Sequence, residues 1–264
     1  MTGRSLHDAL LRVLTDSALR HRLREGDSTV GGQLGEEEAG VLKRADPERL
    51  RRLSRFMARH FYRERIVRLY RYGRALCRAR GRDPLAVLES AEFTSLLDSA
   101  LLGSLTTADA VGQLVEARLL TDLADRPYAP DLIRYEGTLF RVEAGPRRWG
   151  GVIPGEDGIP LRSPHARIID LDWNPTPLIA ALRAGNASPP GPPREPTRLL
   201  IALSPRGTVT AVRCPDSLLR LLEALDGRRG PADAARAAGL GEADARPLLE
   251  KLAGIGAVEW RPPR

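Results

Sequence analysis

Thr197-Arg-Leu-Leu-Ile-Ala-Leu203, Thr208-Val-Thr-Ala-Val-Arg-Cys214 and Asp216-Ser-Leu-Leu-Arg-Leu-Leu-Glu-Ala-Leu-Asp-Gly227 decide how this chain reads. The first is a continuous apolar run between Pro196 and Pro205, the pattern of a strand covered on both faces. Ser204-Pro-Arg-Gly207 is a turn, and the β-branched second run suits a strand paired to the first as a hairpin. Pro215 stops it. From Asp216, Leu218, Leu221, Leu222 and Leu225 fall at i, i+3, i+4 and i+7, the stripe of an amphipathic helix that Gly227 closes. Ala245, Leu248, Leu249 and Leu252 repeat that spacing, and a shorter helix over Pro231 to Ala238 lies between. Helices this short are marginal alone, so their stripes must pack on one another and on the hairpin. Upstream, Ala166-Arg-Ile-Ile-Asp-Leu-Asp-Trp173 alternates and offers a third strand; Ala257-Val-Glu-Trp260 is left as a wing or closing strand.

The predicted fold class is therefore α+β: an all-helical domain over residues 1–143, a Gly/Pro-rich hinge at 144–164, and a small β3α3 winged-helix-like domain over 165–264. With its strands ahead of its helices, the stretch from Ala166 to Trp260 resembles the precursor-peptide recognition element of ribosomal natural-product pathways. More narrowly, its part from Ala166 to Gly227 is similar to the C-terminal half of partner proteins for multinuclear non-heme iron oxidative enzymes, as in methanobactin maturation. That resemblance implies a non-catalytic accessory subunit that holds a leader peptide, forms a heterodimer with the oxidative enzyme, and carries no cofactor itself, iron being expected in the partner. It also implies that the peptide lies along Thr208, Val209, Thr210, Ala211, Val212 and Arg213, facing the third helix at Ala245, Arg246, Leu249 and Lys251. The helical half would then dock the enzyme.

In that half, Ser5 is placed to cap a first helix that ends near Arg24; Gly26 to Gly35 reads as a loop, and Glu36-Glu-Glu38 opens a short helix. Asp46-Pro47 starts the longest helix, expected to run to about Leu76. Its apolar side is Leu50, Leu53, Phe56, Met57 and Phe61 at first, then Tyr62, Ile66, Leu69 and Tyr70, nearly opposite. Either the helix breaks near residues 61–65 or it is sandwiched between two layers, the second of which could be another protein. Between Lys43 and Arg82 stand 15 basic and three acidic residues. This is either a solvated face or a docking surface for an acidic partner, and the docking reading centres on Arg59, His60, Tyr62, Arg63 and Tyr70. Leu85 to Leu97, Thr107 to Leu120 and Pro130 to Val142 read as further helices, and Ala187 to Pro196 as an extended, poorly ordered spacer.

The 264 residues allow one large or two modest domains. No apolar run approaches the roughly 20 residues that span a bilayer, and the N-terminus reads as a helix start, so no membrane association and a cytoplasmic location are expected. The net charge of +7 comes almost wholly from arginine, a bias that coding composition also produces. Cys77 and Cys214 share no metal-ligand spacing and read as small buried residues. His7, His21, His60 and His165 form no zinc or facial-triad pattern, although His60 is placed to reach into a partner's active site. Phosphate-binding loops, nucleophile elbows and dinucleotide fingerprints are absent from the sequence. The competing reading is a winged-helix DNA-binding regulator. Glu242, Asp244 and Glu250 outnumber Arg246 and Lys251 on its recognition helix, which disfavours approach to phosphates.

Overall fold

The computed structural model describes residues 6–145, 158–186 and 189–261. Four short helices, α1 (Leu6–Thr15), α2 (Ser17–Glu25), α3 (Thr29–Leu34) and α4 (Glu36–Lys43), gather Val13, Leu19, Leu23, Val30, Leu34 and Leu42 into a small core. The expected first helix is thus two, because the Asp16 carboxylate accepts the Leu19 N–H at 2.9 Å and starts a new helix. The expected loop at 26–35 contains α3, whose Val30 and Leu34 are fully buried.

The long helix α5 (Pro47–Leu69) starts on the Asp46 cap, as its sequence predicts. Its buried stripe is Leu50, Ser54, Ala58, Tyr62 and Ile66, a single set of i+4 steps. Successive i+4 steps drift by about 40°, so the stripe crosses from the small core to the main one without a break at 61–65. Periodicity counted on large apolar residues misses this because two members are small. Ser54 is buried only because its hydroxyl donates to the Leu14 carbonyl at 2.6 Å and accepts from Arg20 at 2.7 Å. Leu53 and Phe56, expected inside, are exposed, Phe56 by 70%.

The helix breaks instead at Tyr70, and α6 (Arg71–Arg78) begins there. Beyond it the single helix expected over Leu85 to Leu97 is instead a 3₁₀ turn (Pro84–Glu89) and α7 (Ala91–Asp98), split where Ser90 caps α7, while α8 (Leu105–Asp122) and α9 (Ala129–Ala144) lie near their expected bounds. Glu136 of α9 explains the break. Its carboxylate accepts the N–H groups of Tyr72 at 2.7 Å and Gly73 at 2.9 Å, serving as the cap of α6 from another helix. The close approach requires Gly73, where a Cβ would stand 2.8 Å from Ile133.

The C-terminal part comprises β1 (Ile159–Arg162), β2 (Arg167–Leu171), α10 (Thr176–Arg183), β3 (Thr197–Leu203), β4 (Val209–Arg213), α11 (Asp216–Ala224), α12 (Pro231–Ala237), α13 (Glu242–Gly254) and β5 (Val258–Arg261). Strands β2, β3 and β4 form an antiparallel sheet in that order, with Leu171 opposite Thr197 and Leu203 opposite Val209. Strand β5 is not a wing of this sheet. It pairs with β1, which lies within the expected hinge; residues 146–157 of that hinge fall outside the described residues. Helix α10, not expected from the sequence, starts with Pro177 in its first turn and packs Leu178 and Ile179 into the main helical core.

The two-faced burial expected of β3 is explained by its covers. Leu200 and Ala202 face α11 to α13 with Leu221, Leu222, Leu249 and Leu252, while Ile201 and Leu203 face α9 with Val142. Asp131 of α9 also accepts the N–H groups of Asp172 and Trp173, at 2.7 and 2.9 Å, and ties the exit of β2 to the same helix. The Pro-rich connection is not a loose spacer over its described part, residues 189–196. Asn174 donates its N–H to the Pro193 carbonyl at 3.1 Å and its side-chain amide to Glu195 at 3.0 Å.

Candidate peptide-binding edge

Strand β4 ends its sheet, and its ladder fixes which of its backbone groups remain outward. In an antiparallel pair, alternate residues exchange both hydrogen bonds with the neighbour and the residues between them point away. Cys214 N–H donates to the Arg198 carbonyl and Ser204 N–H to the Thr208 carbonyl, each at 2.9 Å. With Thr210 opposite Ala202 and Val212 opposite Leu200, the even-numbered residues of β4 face β3. Val209, Ala211 and Arg213 therefore direct their N–H and C=O groups outward. Among the described residues, no backbone group bonds to them from that side.

The side chains alternate as well. Val212 belongs to the rim of the cluster under α11 to α13, as does Leu248; Val209 and Ala211 lie on the α9 face beside Tyr135 and Leu139. On that second face β4 borders a cavity of about 370 Å³ whose far walls come from α5, α6, α9 and α10. Arg68, Arg71, Tyr72 and Arg183 bring its polar chemistry. The Tyr72 hydroxyl accepts from Arg183 Nε at 2.6 Å and from Arg71 Nη2, and both guanidinium groups approach its ring. Arg68 is paired with the buried Glu143. Neither Arg71 nor Arg183 has a carboxylate within ion-pair distance among the described residues.

Of the residues expected on the third helix, Ala245 and Leu249 are buried in the core of the helical trio and offer a guest no side-chain surface. Amphipathic spacing had marked them as core too. Arg246 is half-buried and Lys251 exposed. Thr208 and Arg213 are exposed, and Arg213 reaches Glu195 at 3.5 Å. The expected docking set divides in the same way. Tyr62 and Tyr70 are fully buried and cannot touch a partner; Tyr70 donates to Glu116 at 3.0 Å, and Arg141 clamps that same carboxylate. Arg59 is engaged with Glu89 and the Leu88 carbonyl. His60 and Arg63 are exposed, and His60 stacks on Phe56 above a second cavity of about 640 Å³ with Met57, Phe61 and Leu102 in its walls.

Burial sets the acid–base character of the interior. It drives the Glu136 carboxyl up to about 8, against the two N–H bonds and Arg71 and Arg74, which pull it down. The Cys77 thiol is pushed up to about 11, mainly by burial, and Cys214 upward for the same reason. Among the described residues, no three His, Cys, Asp or Glu side chains stand together as metal ligands, and no helix is long and apolar enough to cross a membrane. Comparison with protein-family models and with curated proteins gave no match.

Proposed function

We propose that this chain is a non-catalytic partner subunit. It takes the leader of a ribosomally made precursor peptide as an added strand on β4 and presents that peptide to a multinuclear non-heme iron oxidative enzyme. One observation carries the reading: a strand whose outer N–H and C=O groups at Val209, Ala211 and Arg213 have no backbone partner among the described residues, beside a cavity with room for side chains. An added strand gains affinity from main-chain bonds and specificity from pockets that receive alternate side chains. The sheet β2-β3-β4 followed by helices α11 to α13, with α10 inserted between β2 and β3, supports a winged-helix type of recognition element. For the docking of the enzyme, the exposed pair Phe56 and His60 on α5 supports a contact surface that desolvates an aromatic anchor.

The test is fluorescence anisotropy with labelled candidate leader peptides, in parallel with a random DNA duplex. Saturable binding of a leader and none of the duplex is expected. Sequence-specific duplex binding without peptide binding would replace this reading with that of a transcriptional regulator.

A further inference from the structure

Resting on the reading of β4 as an acceptor strand, we infer that the polypeptide it accepts is acidic, with Asp or Glu at the positions opposite Val209 and Ala211. The argument is one of register. Residues directly opposite one another in a β-ladder project their side chains to the same face. Val209 and Ala211 project toward α9 and the cavity that Arg68, Arg71 and Arg183 line. A guest strand paired with their outward N–H and C=O groups therefore projects its residues i and i+2 into that cavity. Residue i+1 projects to the side of α11 to α13.

Among the described residues, two of the cavity's three arginines stand without a carboxylate in ion-pair contact. Arg68 already has Glu143, but Arg71 and Arg183 converge on the neutral hydroxyl of Tyr72. Two cations on one neutral acceptor repel each other, and a carboxylate placed between them would relieve the repulsion and take charge-assisted bonds from both forks. Both arginines are exposed, so they are open to an incoming group. Tyr72 is buried and fixes the geometry of the pair. The same strand edge requires a partner with its own backbone donors and acceptors, which selects an acidic polypeptide over a polyphosphate or a nucleic acid.

A phage-displayed library of random twelve-residue peptides, selected at low salt on the full chain, tests this together with the variants Ala211→Pro, Arg183→Gln and Arg71→Gln/Arg183→Gln. The expected result is enrichment of Asp or Glu at i, i+2 spacing, loss of binding on Ala211→Pro, and loss of the acidic preference on the arginine variants. Affinity of a selected acidic peptide should fall roughly tenfold on Arg183→Gln, in line with one charged hydrogen bond lost at an exposed site. Arg183 lies exposed at the end of α10, so the single variant keeps the test decisive if replacement of Arg71 disturbs the start of α6. Peptides that depend on Ala211 but show no acidic bias would overturn the inference and leave the acceptor-strand reading standing. Selection of no peptide, or of peptides indifferent to Ala211→Pro, would overturn both.

Discussion

Proline placed at adjacent residues of β4 separates its two edges. Thr210 is opposite Ala202 in a hydrogen-bonded pair, so Thr210→Pro removes a ladder donor and leaves the carbonyl of the fully buried Ala202 unpaired. Loss of one hydrogen bond costs about 1 kcal/mol and an unsatisfied buried acceptor about 1–3 kcal/mol. A total of roughly 2–4 kcal/mol corresponds to a fall in Tm on the order of 5–10 °C for a chain of this size. Ala211 has its N–H on the outer side, where proline is tolerated on an edge strand. Ala211→Pro gives up no bond to a described residue, and the strain of bending φ toward −65° should stay near 1 kcal/mol. Its effect falls on the guest, which loses one main-chain bond and meets the pyrrolidine ring; at least a tenfold weaker Kd is expected. Thermal unfolding followed by circular dichroism and peptide anisotropy read the two effects separately. If Thr210→Pro melts with the wild type while Ala211→Pro unfolds, the register of β4 is shifted by one residue and the outward assignment is wrong.

Burial lifts Glu136 from 4.5 to about 8, so the proton that stabilises its folded form is fully held below about pH 4.5 and is given up as pH rises through about 8. Relative to Glu136→Gln, the wild type should lose stability across that window in urea unfolding, and a pH-independent difference between the two would refute burial as the governing cause. Gly256 has φ +82° and an added Cβ would lie 1.8 Å from the Leu203 carbonyl oxygen, so Gly256→Ala should cost about 3 kcal/mol or more, read as a lowered urea midpoint. Phe56→Ser, at a side chain 70% exposed, should leave stability within about 0.5 kcal/mol and, on the proposed function, abolish co-elution with a non-heme iron oxidative enzyme that the wild type retains. Co-elution at wild-type strength would remove Phe56 from the docking surface.

The sheet and its helical cover were legible because their signals are local and mutually consistent. The apolar run of β3, the β-branched run of β4 and the leucine stripe of α11 each state their period within a few residues, and the flanking prolines and glycines bound them. The features that escaped depend on partners remote in sequence. The break at Tyr70 is made by Glu136, 64 residues from Tyr72, and the pairing of β1 joins the ends of the C-terminal part. The cavity beside β4 draws Arg68, Arg71 and Arg183 from three helices, and nothing in the local pattern of any one marks it as a wall. The burial of Tyr62 and Tyr70 was readable from the i+4 stripe through Ser54 and Ala58, had small residues been counted as core.

Helix α5 gives the proposed function a length scale. Phe56 and His60 stand toward its middle, and Arg68 and Leu69 at its end line the cavity beside β4. At about 1.5 Å per residue, the twelve residues from Phe56 to Arg68 separate the two features by roughly 18 Å. An extended guest covers that distance in about five or six residues at about 3.3 Å each. A leader seated on β4 thus needs a short tether before its modified residue meets an enzyme docked at Phe56. Glu136 holds the intervening corner: by capping α6 it fixes Arg71 and Tyr72 in the wall of the cavity beside β4, and it does so from α9, the helix that packs on the sheet. Lengthening the tether by a few flexible residues should leave leader affinity unchanged and lower the rate of modification, because binding and delivery are set by different ends of one rigid helix. Equal rates for short and long tethers would separate the enzyme's position from α5.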